Sequence, residues 1–187
     1  MKKTSLLLIF ILAVFVSAKP IYVDQTLTAK CHTYNPTARD CSGSNWAFKT
    51  VNMALDSMAK GDSIIMRGGT YQEGFIEIPL AKNGTAWTAG NYNTITSYVG
   101  EWAILDGNNA CEPRGVVMGY YSPDFVDDYD LKYWRFDRFE IKNGKSADGN
   151  FSYGLFISGG PNTFSRLYIH DCYSIGDNNP AGIGGYH

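Results

Sequence analysis

The chain has 187 residues, with 16 Lys and Arg against 18 Asp and Glu and a formal net charge of −2. This balance, with no basic stripe along the sequence, argues against a nucleic acid as partner. The length is enough for one domain, and the 20 glycines are typical of a chain in which many turns join short strands.

The first 18 residues predict a secretory signal peptide. Two lysines near the start precede an apolar run at 6–16, and Ala18 ends a small-residue cleavage motif. The run is shorter than the about 20 residues of an ordinary membrane span, and an uncleaved anchor is the alternative. We therefore expect an extracellular, secreted protein, monomeric and without a membrane span after cleavage, whose domain comprises residues 19–187.

One amphipathic helix is predicted between residues 45 and 60. Apolar residues recur at steps of three, four and three, at Phe48, Val51, Leu55 and Met58. We expect Ser44 or Asn45 to cap its first N–H groups and Gly61 to end it, since glycine readily adopts the left-handed conformation common at helix ends. A lone helix in this place is suited to cover the end of a stack of strands.

The rest of the chain predicts short strands, and its second half repeats. The strands are predicted at 21–23, 64–66, 75–78, 94–99, 103–105 and 115–120. Residues 138–143 align with 166–171, and 154–157 align with 182–185, both at an offset of 28 residues. Such a period predicts a solenoid. An antiparallel β-sandwich or jelly roll is the alternative, but it explains neither the lone helix nor the common offset.

The stretch from Trp46 to Tyr71 carries a family resemblance. Its pattern, W-x-F-K-T-V-x-x-A-L-x-x-M-x-x-G-D-x-I-x-M-x-x-G-T-Y, resembles the N-terminal cap and first coil of secreted proteins of the pectate-lyase-like superfamily. The resemblance extends over residues 21–187. It implies an all-β, right-handed parallel β-helix, the pectin lyase fold, closed at one end by the helix.

The resemblance also implies a polysaccharide as partner and an activity. The first hypothesis is a polysaccharide lyase that cleaves an acidic glycan such as pectate by Ca²⁺-assisted β-elimination. The alternatives are a non-catalytic glycan-binding or adhesin-like protein and a β-helix glycoside hydrolase, because one fold hosts all three. The sequence stops where another coil begins, so we expect an N-terminal portion that lacks the complete active site, with catalytic coils beyond His187.

Four residues are candidates for chemistry. Lys142 and His170 occupy the same position one repeat apart and face outward, as a base would; an ordinary solvated face is the alternative. Asp171 and Asp177 flank a turn and are candidate Ca²⁺ ligands, although Asp is also a routine turn residue. His170 and Asp171 should not contact each other, because sequence neighbours on a strand point to opposite sides.

Further candidates concern sugars and covalent modification. Aromatic residues surround an acidic loop at 122–130 and are sugar-stacking candidates or core residues: Tyr121, Tyr129 and Trp134. Asn83 and Asn150 begin acceptor triplets for N-glycosylation and predict a glycoprotein.

The exported chain contains four cysteines, which predicts disulfides: Cys31, Cys41, Cys111 and Cys172. A local pair, Cys31–Cys41, with a distant pair, Cys111–Cys172, is one of three connectivities. No Cys-x-x-Cys motif or close Cys/His cluster occurs, which argues against a zinc site.

Overall fold

The computed structural model describes residues 18–109, 115–119, 130–146, 152–174 and 181–184. The predicted signal peptide, except Ala18, therefore lies outside the described residues. The described part is all-β apart from one α-helix and one short 3₁₀ turn. The first half comprises β1 Pro20–Val23, β2 Cys31–Asn35, β3 Asp40–Phe48, α1 Val51–Ser57, β4 Ser63–Met66, β5 Gly69–Tyr71, β6 Ile76–Ile78, a 3₁₀ turn Leu80–Lys82, β7 Asn93–Ser97 and β8 Ala103–Asp106. The second half comprises β9 Gly115–Gly119, β10 Trp134–Lys142, β11 Lys145–Ser146, β12 Tyr153–Phe156, β13 Thr163–His170, β14 Tyr173–Ser174 and β15 Ala181–Gly184.

These strands form three sheets. The first has nine strands in the order β2-β3-β1-β4-β7-β10-β8-β5, with β13 also pairing with β10. The second has the order β15-β12-β9-β6, and the third contains β11 and β14. Only the β2–β3 pair is antiparallel among the described strands. Parallel pairs need long crossover connections, and β6, β9 and β12 of the second sheet lie within the connections from β4 to β7, from β7 to β10 and from β10 to β13.

The register confirms the 28-residue repeat in two sheets. In the first sheet Phe139 on β10 pairs with Leu167 on β13, and in the second sheet Leu155 on β12 pairs with Ile183 on β15. Each pair joins residues 28 apart. The predicted alternative, an antiparallel sandwich, is wrong for this part of the chain because both pairings are parallel.

The repeat also extends to the backbone. Arg138 and Arg166 adopt positive φ angles of 56° and 49°, and Asn143 and Asp171 adopt 56° and 52°. A non-glycine residue with positive φ is uncommon, so the recurrence at the same spacing marks two equivalent bends in successive turns of the chain. Each bend redirects the strand within or at the end of β10 and β13.

An apolar ladder runs through the first sheet. Its members pair in register from β1 through β4, β7 and β10 to β13: Ile21, Ile64, Ile95, Phe136 and Phe164. The first four are at most 4% exposed, whereas Phe164 is 39% exposed because β13 has no further strand beside it in the described residues. Complete burial of such a side chain contributes about 1.5–3 kcal/mol, so the ladder holds neighbouring strands together.

The helix begins later and is shorter than the sequence predicts. Ser44 and Asn45 lie in β3, which continues to Phe48 in parallel pairing with β1, so the predicted cap is wrong. Thr50 is the N-cap, and its hydroxyl accepts a hydrogen bond from the Met53 N–H at 3.2 Å. The helix ends at Ser57, before Gly61.

A carboxylate from the loop between β5 and β6 completes the helix start. Glu73 accepts hydrogen bonds from the N–H groups of Val51 and Asn52 at 2.5 and 2.9 Å, which satisfies donors that a helix leaves free in its first turn. The apolar side of α1 is buried against strands of the first and second sheets. The helix therefore covers apolar residues of two sheets, and its role as the end cap of a stack of coils stays a prediction.

Candidate functional site

Five charged side chains lie together at the carboxyl ends of β8, β10 and β13. We call them the charged row: Asp106, Glu140, Lys142, His170 and Asp171. Lys142 pairs in register with Asp106 on one side and with His170 on the other. Phe139 and Ile141 alternate with these residues and are fully buried, so the row lies on the outward face of the sheet. The predicted equivalence of Lys142 and His170 is confirmed.

The row is held by close contacts. His170 Nε2 lies 3.0 Å from Glu140 Oε1, and His170 Nδ1 lies 2.7 Å from Asp171 Oδ2. Lys142 Nζ lies 3.9 Å from Asp106 Oδ2. The hydrogen bond with Glu140, helped by Asp171, raises the pKa of His170 above its usual value. His170 therefore retains its proton to higher pH than a free histidine, which suits a proton donor or a group that binds a carboxylate.

The contact between His170 and Asp171 corrects a prediction. Sequence neighbours were expected on opposite faces, but β13 ends at His170 and Asp171 has a φ of 52°. The strand alternation does not apply beyond that bend, so the carboxylate turns back to the ring. The side chain of Asp171 is 68% exposed.

Asp106 is a member of the row that the sequence reasoning missed. It is 6% exposed, and its Oδ1 accepts hydrogen bonds from Asn143 Nδ2 at 2.9 Å and from the Asn108 N–H at 2.8 Å. The signal was available, because Asp106 ends a predicted strand immediately before a glycine. A carboxylate in that place commonly organises a turn, and here it also approaches Lys142.

The described residues do not assemble the predicted calcium site. Asp171 contacts His170, and Asp177 lies outside the described residues. Within the described ranges no group of three or more His, Cys, Asp or Glu side chains is placed to hold a metal ion. Calcium binding therefore stays a prediction.

The predicted sugar-stacking set is corrected in one member. Trp134 is fully buried and stacks on Phe136 with ring centroids 6.2 Å apart, so it belongs to the core and presents no face to a ligand. Its place at the start of β10, on the inward side, explains the burial. Tyr121 and Tyr129 lie outside the described residues.

The two glycosylation candidates differ in what the structure describes. Asn150 lies outside the described residues. Asn83 is half-buried, and its Nδ2 donates to the Asp130 carbonyl at 2.7 Å while its Oδ1 accepts from the Lys132 N–H at 2.9 Å. The amide thus joins the loop after the 3₁₀ turn to the segment before β10. Glycosylation at either asparagine remains a prediction.

A disulfide joins Cys31 and Cys41, with Cα atoms 5.8 Å apart. It links the two strands of the antiparallel β2–β3 pair, which confirms the local pairing. Cys172 is half-buried just after β13. Its predicted partner, Cys111, lies outside the described residues, so that pairing is not tested.

A buried charged network was missed altogether. We call it the Asp24 network: Asp24, Tyr34, Arg39, Arg67 and Glu101. The fully buried Asp24 carboxylate accepts hydrogen bonds from Tyr34 Oη at 2.6 Å and from Arg39 Nε at 2.9 Å. Arg67 forms an ion pair with Glu101 and lies over the ring of Tyr98 at 4.2 Å. The network connects the disulfide-closed β2–β3 pair to the segments that follow β1, β4 and β7, and it is a stabilising element.

Comparison with known proteins gives a distant relative. The chain is 27% identical over 132 residues to pectate lyase PEL9 of Emericella nidulans, an alignment that covers 68% of this chain and 30% of the relative. This similarity suggests a pectate-lyase-like family, and the chain spans less than a third of the relative's length. No protein-family model matches the chain, and no solved structure gives a significant match. Among the described residues, no helix has the length and apolar character needed to cross a membrane.

Proposed function

We propose that this chain forms coils of a right-handed parallel β-helix and serves as a secreted, polysaccharide-lyase-like protein on an acidic glycan such as pectate. The path of the chain supports the fold. Between β10 and β13, which are neighbours in the first sheet, it passes through β11 in the third sheet and β12 in the second. A chain that returns to the same sheet again and again, after 28 residues from β10 to β13 and from β12 to β15, builds a solenoid in which each coil contacts its neighbours.

The observation that carries the functional proposal is the charged row on the outward face of three adjacent strands. The distant similarity to a pectate lyase supplies the reaction class. In β-elimination, the hydrogen beside the uronate carboxylate leaves as a proton to a base, and its electron pair forms the new C=C bond. The bond to the glycosidic oxygen breaks, and that oxygen takes up a proton.

Within the row, Lys142 and His170 divide these tasks. Lys142 is the proposed base, since its amine lies on the outward face next to the strand that carries His170. His170 is the proposed proton donor, because its hydrogen bonds with Glu140 and Asp171 raise its pKa and favour the protonated ring, whose proton is suited to the departing oxygen. Glu140 is a positioning residue that fixes the imidazole at 3.0 Å.

The test is the ultraviolet absorbance of the unsaturated product formed from polygalacturonate. We expect Lys142→Ala and His170→Ala each to reduce the rate by about 10²-fold or more, the usual contribution of a general acid or base. Lys60→Ala is the matched control, because Lys60 is exposed in the turn after α1 and is not part of the charged row. Equal rates for Lys142→Ala and the wild-type chain would remove Lys142 from this role.

The charge of the row speaks against cleavage of an acidic glycan there, so a second function is binding of a glycan without cleavage. Three carboxylates face two cationic side chains, so the row alone does not attract an acidic polymer even when His170 is protonated. Binding to polygalacturonate with no change in absorbance would support this function. New reducing ends without absorbance would instead indicate a glycoside hydrolase.

A further inference from the structure

A second outward surface combines aromatic rings with an arginine. We call it the aromatic patch: Trp87, Tyr92, Tyr133 and Arg135. The ring of Trp87 lies 5.6 Å from that of Tyr92 and 5.5 Å from that of Tyr133. The Arg135 guanidinium lies over the Tyr92 ring, 4.8 Å from its centroid. None of these contacts involves the charged row.

The patch is built on a fixed loop. The Gly84 N–H donates to the Lys132 carbonyl at 3.0 Å, and the Thr85 N–H donates to the Asn91 carbonyl at 2.7 Å. At Gly84 an added Cβ would lie 2.4 Å from the Asn91 oxygen, so this close approach requires glycine. The loop that carries Trp87 is therefore joined both to itself and to the segment that leads into β10.

The guanidinium group of Arg135 is available to bind a ligand. It is exposed and makes no ion pair with any described residue, whereas Arg39 and Arg67 each pair with a carboxylate. Its described partner is the face of Tyr92, which leaves guanidinium N–H groups available. Trp87 beside it is 38% exposed and presents an apolar surface.

We propose that the aromatic patch is a binding subsite for one anionic sugar, a uronate residue of a polysaccharide. The apolar face of the sugar ring packs on Trp87, and the uronate carboxylate accepts hydrogen bonds from Arg135, a side chain whose planar fork matches a carboxylate. The choice of a uronate rests on the proposed function. Trp87 supplies an apolar face and Arg135 supplies a cation that has no ion pair with a described residue. This combination favours an acidic sugar over a neutral one.

The position of the patch gives the subsite a role. Arg135 and Lys142 both lie on β10 with outward side chains, seven residues apart, and the backbone bend at Arg138 (φ 56°) lies between them. The separation is at most about 23 Å along the strand, so the patch and the row lie on successive segments of β10 on either side of the bend. The patch supplies the positive charge that the row lacks, and a glycan that follows β10 past the bend would reach both.

The experiment measures binding separately from cleavage. Affinity electrophoresis and calorimetry with polygalacturonate would compare the wild-type chain with Arg135→Gln and Trp87→Ala, using fully methyl-esterified polygalacturonate as the uncharged probe. Trp102→Ala is the matched control, because Trp102 is 40% exposed and makes no ring contact or cation–π contact with a described residue. Circular dichroism and thermal unfolding would show that each variant is folded.

We expect Arg135→Gln and Trp87→Ala each to weaken binding of the acidic polymer by roughly threefold to tenfold, in line with single exposed charged or aromatic contacts. Arg135→Gln should leave binding of the esterified polymer unchanged, and Trp102→Ala should bind both polymers as the wild type does. Unchanged affinity in both patch variants, or no binding of polygalacturonate by the wild-type chain, would overturn the subsite. Loss of binding in these variants with no unsaturated product from the wild type would keep the subsite and remove the lyase activity.

Discussion

The substitution Asp24→Asn tests the Asp24 network. The Asp24 carboxylate is fully buried and accepts hydrogen bonds from three side chains: Tyr34 at 2.6 Å, Arg39 at 2.6 and 2.9 Å, and Thr26 at 2.7 Å. Asparagine keeps the shape but loses the negative charge, and its NH₂ group faces donors instead of accepting from them. The substitution therefore removes the ion pair with Arg39 and at least one of the hydrogen bonds.

The expected loss in the free energy of unfolding depends on how exposed the Arg39 side chain is. Removing one partner of a fully buried ion pair costs about 3–5 kcal/mol. The Arg39 side chain is 34% exposed, so water can solvate it after the change. We therefore expect Asp24→Asn to lower the free energy of unfolding by about 2–3 kcal/mol at pH 7.

The effect of pH provides a second readout. Burial acts to raise the pKa of Asp24, but the hydrogen bonds from Arg39, Tyr34 and Thr26 outweigh burial and hold the pKa well below its usual range. A lowered pKa in the folded state means that the stabilisation is complete above about pH 5 and is lost as pH falls below about 4. Asp24→Asn should lack this part of the acid dependence.

Urea unfolding of both proteins between pH 3 and pH 7 would measure these quantities, with circular dichroism as the signal. Asp56→Asn is the control, because Asp56 is exposed on α1 and its side chain accepts no hydrogen bond from a described residue. A difference of less than about 0.5 kcal/mol at pH 7, or the same acid dependence in wild type and Asp24→Asn, would refute this reasoning.

Three further predictions concern the row, the disulfide and the ladder. In an NMR titration, the pKa of His170 should lie above its ordinary value and should fall in Glu140→Gln. The stabilisation from the His170–Glu140 pair should be present below about pH 6.5 and should disappear as pH rises through the pKa of the folded state. Replacing both cysteines of the Cys31–Cys41 pair with serine should cost about 2.5–3 kcal/mol in urea unfolding, from the ten-residue separation that the bond closes; equal stability would contradict it. Phe136→Ala should cost about 3–5 kcal/mol and Phe164→Ala about 1–2, because their exposures are 0% and 39%; the reverse order would contradict the ladder.

The 28-residue repeat could be predicted from the sequence because short stretches of matching residues recur at that spacing. Phe139 and Leu167 have matching neighbours at the same spacing, and the parallel register follows once both must be buried. The disulfide Cys31–Cys41 was accessible for the same reason, since its partners are close in the chain. Short-range signals were enough for these features.

Other features depend on contacts between distant segments. The start of α1 was misplaced because Phe48 belongs to a strand whose pairing with β1 overrides its helical spacing. The Asp24 network joins residues that range from position 24 to Glu101, and no spacing rule relates them. The contact of His170 with Asp171 depends on one backbone bend after the strand, which alternation alone does not predict.

Mass spectrometry of the products that the chain forms from polygalacturonate tests the central proposal most directly. β-Elimination splits the polymer without adding water, whereas hydrolysis adds one water to each cleaved bond. We expect unsaturated oligomers that are lighter than the corresponding saturated oligomers by the mass of one water, and we expect Lys142→Ala not to form them. Saturated oligomers, or an uncleaved polymer, would contradict a polysaccharide-lyase activity in this chain.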